Sequence, residues 1–130
     1  MRVDRLKLKL QVMCGDRFAM GPGKADILEA IVREGSISAA GRALGMSYRR
    51  TWLLVDEMNR CFTDKLVETR KGGTHDRGAV LTALGTTVLD GYRSLEARLA
   101  ALTHDPAYAF LVANLRDTPL SANLSATSEK

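Results

Sequence analysis

Aromatic residues make up only 5% of this 130-residue chain: three phenylalanines, three tyrosines and a single tryptophan, Trp52. Histidine and cysteine each occur twice. Cys14 and Cys61 have no short metal spacing between them, and His75 has only His104 as a histidine companion, so the sequence encodes no recognisable metal site. The two cysteines read as small buried hydrophobes in a reduced interior. No apolar run approaches the ~20 residues that span a bilayer, and no signal peptide is evident; the expected setting is cytoplasmic, away from membranes. No nucleophile–base grouping or phosphate loop appears at a recognisable spacing, so an enzyme is not expected.

What is present is ordinary for one small globular domain: 45% hydrophobic and 26% charged residues. The net charge of +4, with a pI near 9.3, permits nucleic-acid binding without requiring it. Its distribution says more. Residues 1–24 carry six basic and two acidic groups, 25–62 five of each, 63–78 four and three, and 79–130 four and five. The positive excess lies at the front.

Leu6, Leu8, Leu10 and Val12 alternate with Lys7, Lys9 and Gln11, a period of two that predicts a half-buried strand. Gly15-Asp16 suggests a turn, with Arg17 to Met20 returning, and Gly21-Pro22-Gly23 then breaks the chain. Ile27, Leu28, Ile31 and Val32 lie at helical spacing up to Gly35. In "GSISAAGRALGMSYRRTW", Ser36 is a candidate N-cap, Ile37, Ala40 and Leu44 share a face, Ala39 and Ala40 allow a close helix crossing, and Gly45 ends the helix. A third helix over 47–62 starts at Ser47, with an inward stripe of Thr51, Val55, Met58 and Phe62. Leu66–Arg70 and Ala79–Thr82 flank a Gly-containing polar loop and predict a hairpin. Thr82 caps a long helix over 83–102 whose stripe is Leu84, Val88, Tyr92, Leu95, Leu99 and Leu102. Asp105-Pro106 starts a short helix through about Arg116, before a tail with little to bury.

This order predicts a mainly α fold with small β: a winged helix-turn-helix with a three-helix core, a β-hairpin wing, an N-terminal strand and a long C-terminal dimerisation helix. Residues 1–103 form the domain, and 104–130 the short helix and a disordered tail.

On the third helix, Arg49, Leu53, Asp56 and Arg60 oppose the inward stripe. Arginine donates two hydrogen bonds to guanine O6 and N7 in the major groove, which makes Arg49 the first candidate for base reading. Arg50 and Arg60 are candidates for bases or phosphates. The helix start at Ser47 favours phosphate, and Tyr48 and Trp52 sit at the groove edge. In the wing, Arg70, Lys71, His75 and Arg77 bracket Gly72-Gly73 and suit a minor groove or phosphate ridge. Each of these groups is equally at home as a solvated surface residue. Asp56 and Glu57 repel phosphate. The long helix either pairs with a second copy, giving a homodimer over two operator half-sites, or folds back over its own core.

"GPGKADILEAIVREGSISAAGRALGMSYRRTWLLVDEMNRCF", followed by "LVETRKGG" and "GAVLTALG", resembles the N-terminal DNA-binding domain of ModE-type molybdate-responsive regulators over roughly 18–100. The spacing from Ser36 through Ala39, Ala40, Leu44 and Gly45 to Ser47 is also similar to LysR-type regulators. The resemblance implies a dimeric, operator-binding bacterial transcription regulator. About 28 residues follow the long helix, fewer than the oxyanion-binding domains of that family need, so no molybdate, tungstate or other cofactor is expected on this chain. The alternative is a protein-interaction module that pairs with another regulator, such as a full-length relative, and binds DNA weakly or not at all.

Overall fold

The computed structural model describes residues 1–70 and 78–122. Two antiparallel hairpins come first: β1 (Arg2–Val3) with β2 (Leu6–Lys7), and β3 (Val12–Cys14) with β4 (Arg17–Met20). The first hairpin breaks up the single strand expected from the alternation over 6–12, whereas the second has the Gly15-Asp16 turn and the returning Arg17–Met20 strand that the sequence suggests. The alternation persists as burial, with Leu6, Leu8 and Leu10 half-buried and Lys7 and Lys9 exposed. Asp4, however, adopts a left-handed φ of 56° that folds the chain back on itself. A period of two specifies two faces and leaves the number of strands open. Val12, at the far end, is exposed.

Helix α1 (Pro22–Glu34) begins at the proline expected to break the chain. Pro22 occupies the first turn, where no amide donor is needed and its φ is already helical. Ala25, Ile27, Leu28, Ala30 and Ile31 are buried, whereas Val32, placed on the same stripe by spacing, is 65% exposed. One residue past Ile31 the helix has turned about 100°, away from the core. Gly35 ends the helix with a positive φ of 86°.

Helix α2 (Ile37–Ala43) is capped by Ser36, whose Oγ accepts from the Ala39 amide at 3.0 Å. Helix α3 (Tyr48–Cys61) buries Thr51, Val55 and Met58 as the stripe predicts, with Phe62 partly buried beyond its end. The two helices meet at Gly41, next to the alanines expected at the crossing. A Cβ there would lie 2.5 Å from Thr51 Oγ1 and 3.2 Å from the Met46 carbonyl. The wing pairs β5 (Val67–Thr69) with β6 (Ala79–Leu81) in antiparallel register. Its tip, with Lys71, His75 and Arg77, lies outside the described residues, as does the tail from residue 123.

Helix α4 (Ala83–Ala100) is capped by Thr82, whose Oγ1 accepts from the Gly85 amide at 2.9 Å. Its inward face is Gly85, Leu89, Tyr92 and Glu96, which corrects the expected stripe. Of the six residues predicted, only Tyr92 is buried, and Leu95 and Leu102 are exposed. Contacts across the molecule set this rotation. Arg93 ties α4 to α1 through Asp26 and Glu29, both at 2.7 Å, and to Glu96 at 2.8 Å. The Tyr92 hydroxyl donates to the Leu10 carbonyl at 2.8 Å. One face of α4 therefore folds back over its own core.

A 3-10 turn (Ala101–His104) leads to α5 (Pro106–Ala113), where Asp105 caps the Ala107 amide at 2.8 Å. The helix stops three residues short of Arg116, the expected end. Tyr108 reaches back to the first hairpin: its hydroxyl donates to Asp4 and accepts from the Arg5 amide, each at 3.0 Å. Among the described residues no helix is long and apolar enough to cross a membrane.

Candidate nucleic-acid interface

The site begins at a short turn. Met46 donates to the Gly41 carbonyl at 2.8 Å, Gly45 takes a φ of 71°, and Ser47 then caps α3 by accepting from the Arg50 amide at 3.1 Å. Thr51 Oγ1 closes the turn on the Ser47 carbonyl at 2.8 Å. Because Thr51 is held inward, the wheel turns Tyr48, Arg49, Arg50, Trp52 and Leu53 outward, and all five are exposed. Neither Arg49 nor Arg50 makes a side-chain ion pair with a described residue. With Ser47, Leu53 and Leu54 they line a depression of about 190 Å³. The helix start thus combines outward amides, a positive dipole end and two unneutralised guanidinium groups.

Other sequence-predicted residues are placed differently. Arg60 is tied to Asp56, Nε to Oδ2 at 2.9 Å. Trp52 lines a groove of about 250 Å³ between α3 and β5, together with Asn59, Lys65 and Thr69. Arg70 lies just past the first wing strand, exposed, and its amide donates to the Gly78 carbonyl at 2.8 Å. Lys71 and Arg77 fall outside the described residues.

Three residues that the sequence reading passed over organise the site. Asn59 joins α3 to the wing: its Oδ1 accepts from the Leu66 and Val67 amides at 2.8 and 3.1 Å, and its Nδ2 donates to the Val67 carbonyl at 3.1 Å. Lys24 is buried, with its Nζ donating to Glu57 at 2.6 Å and to the Phe18 carbonyl. Arg17 adds a second contact to Glu57 at 3.1 Å. The acid expected to repel phosphate is therefore neutralised from below. The hydrogen bond from Lys24 holds its carboxyl below the ordinary value of 4.5 against the opposing effect of burial. The missed signal was spatial: Lys24 lies one turn before Leu28 on the inward face of α1.

A lowered folded-state pKa places this contribution above the unfolded value, and it is lost as pH falls through the folded one. Glu57→Gln should therefore cost about 2 kcal/mol near neutral pH, where it leaves Lys24 with an uncharged partner. The gap from the parent should begin to narrow as pH falls below the ordinary value of 4.5 and close only below the lowered folded-state value, where the parent carboxylate is itself protonated. Urea midpoints across pH measure it; a gap that does not change with pH would contradict the pairing.

The cysteines also depart from expectation: Cys14 is exposed and Cys61 half-buried. Cys14 stands at the end of β3, beside the Gly15-Asp16 turn. Among the described residues no cluster of three or more His, Cys, Asp or Glu is placed to hold a metal.

Residues 24–86, from α1 into the start of α4, match the bacterial regulatory helix-turn-helix proteins of the lysR family. The molybdenum-pterin-binding protein MopB of Rhodobacter capsulatus is 41% identical over 83 residues, 64% of this chain and 31% of that protein. The chain carries a ModE-like helix-turn-helix domain. The molybdenum transport protein ModE of Azotobacter vinelandii is 37% identical over 78 residues, covering 60% and 29% of the two chains. The DNA-binding transcriptional dual regulator ModE of Escherichia coli K12 is 36% identical over 87 residues, covering 67% and 32%. The chain thus matches about a third of the length of these curated relatives. Residues 24–86, matched to the lysR-family regulatory helix-turn-helix proteins, contain the turn, α3 and both wing strands.

Proposed function

We propose that this chain is a sequence-specific, duplex-DNA-binding transcription regulator, acting as a homodimer and linked to molybdate metabolism. The observation that carries the reading is the start of α3, where Ser47 caps a 14-residue helix and Arg49 and Arg50 stand exposed without described ion-pair partners. Two ModE relatives, a molybdenum transport protein and a DNA-binding transcriptional dual regulator, support it.

In this reading α3 lies in the major groove. Arg49 reads guanine, Arg50 and the Tyr48 hydroxyl hold phosphates, and the helix start at Ser47 receives another. Trp52 packs at the groove edge, and Arg60, braced by Asp56, meets the backbone. Arg70, Lys71 and Arg77 bring the wing to the neighbouring phosphates or minor groove. The segment 83–102 pairs the two copies. In support, Leu95 and Leu102 are exposed and Leu99 half-buried on the flank beside Leu84 and Val88, which themselves pack partly against the core. Such a dimer would set two recognition helices about 34 Å apart. The same flank suits a full-length relative as an alternative partner, which is the second reading, a protein-pairing module. Residues 1–103 act as the DNA-binding unit, and no molybdate or tungstate site is assigned to this chain.

Fluorescence anisotropy tests the proposal against a palindromic operator and a scrambled duplex. Affinity for the operator should fall by about 10³-fold between roughly 50 and 200 mM salt, as expected for some six phosphate contacts. Equal affinity for both duplexes would defeat sequence-specific binding, and a monomer in light scattering would defeat the dimer.

A further inference from the structure

Two thiols that stand 47 positions apart in the chain meet at one seam of the fold. Cys14 on β3 is directly opposite Arg17 on β4, so both side chains leave the same face of the hairpin. Glu57 and Cys61 are four residues apart on α3 and share one face of that helix. Arg17 and Glu57 are joined across the seam at 3.1 Å. That ion pair lays the Cys14 face of the hairpin on the Cys61 face of α3. The Cys61 thiol is pushed up, first by burial and then by the neighbouring thiol of Cys14.

We propose that Cys14 and Cys61 are a modification site: a hydroperoxide converts them to a reversible disulfide that fastens the β3–β4 hairpin to the end of α3. Cys14, exposed, reacts first. Its thiolate sulfur attacks one peroxide oxygen, the O–O bond breaks, and the departing hydroxide takes up a proton to leave as water, with sulfenic acid on Cys14. The Cys61 sulfur then attacks the Cys14 sulfur. The S–S bond forms, the S–O bond breaks, and hydroxide leaves with the Cys61 proton as a second water. The two thiols are oxidised by two electrons and hydrogen peroxide is reduced to two waters. A small dithiol reverses the reaction by exchange.

The test treats the reduced full chain with equimolar hydrogen peroxide at low protein concentration. The intact mass should fall by two hydrogens, peptide mapping should recover Cys14 linked to Cys61 within one chain, and dithiothreitol should restore both thiols. The oxidised form should melt about 10 °C higher, because the bond closes a long loop in the unfolded chain. Cys61→Ser should abolish the cross-link and leave a dimedone-reactive sulfenic acid on Cys14; Cys14→Ser, at an exposed position, should leave Cys61 unoxidised. Cys14 joined only to Cys14 of a second copy, or oxidised beyond sulfenic acid while Cys61 stays alkylatable, would overturn the proposal.

Discussion

Gly85→Ala is expected to destabilise the protein by about 3 kcal/mol, a large share of what a domain of this size possesses. A Cβ on Gly85 would lie 2.1 Å from the Leu66 carbonyl oxygen and 3.0 and 3.2 Å from that residue's carbonyl carbon and Cα. All three are backbone atoms, so no side-chain rotation relieves the clash. Nor can α4 simply back away. The Leu66 carbonyl accepts from the Thr82 amide at 2.9 Å, Thr82 Oγ1 donates to the Lys65 carbonyl at 2.7 Å, and the same hydroxyl caps Gly85. Gly91 supplies the control within the same helix, since nothing lies within 4 Å of the Cβ it lacks. Gly91→Ala should stabilise by up to about 1 kcal/mol through helix propensity alone. Urea denaturation of the two variants reads the opposite signs directly. An unshifted midpoint for Gly85→Ala would mean that α4 does not press on the start of β5.

Removing both arginines at the start of α3 should weaken operator binding by about 100-fold or more, given roughly 1–3 kcal/mol for each base-reading pair. The single variants should separate their roles. Arg49→Ala should flatten the preference at one base position in each half-site, whereas Arg50→Ala should weaken all sequences alike and lower the salt slope by about one per copy. Both side chains are exposed, so circular dichroism should remain that of the parent. Arg33, paired with Glu34 on the surface of α1 at 3.0 Å, offers a charge-matched control. Binding that survives the double substitution would move the DNA-contacting surface away from α3.

Much of the architecture is local and was therefore legible. Ser36, Ser47, Thr82 and Asp105 each cap the helix expected of them, because a hydroxyl or carboxylate two or three residues from a free amide needs no distant partner. The inward stripe of α3 was legible because its other side is polar enough to leave one solution on the helical wheel. Helix α4 offers no such contrast. Leu84, Val88, Leu89, Tyr92, Leu95 and Leu99 spread over an arc of about 140°, and spacing chose one flank of that arc rather than the buried face.

The order of the helices and the wing, the caps of α2 to α5 and the outward placement of Arg49 and Arg50 followed from the amino-acid sequence by itself, since each depends on groups within a few residues of one another. Three-dimensional packing alone decided which side of α4 is buried, why glycine is required at 41 and 85, how Lys24 and Arg17 neutralise Glu57, and that Cys14 meets Cys61. Each of these is a contact between segments brought together by folding, and no periodicity in the chain specifies which backbone or charge will stand opposite.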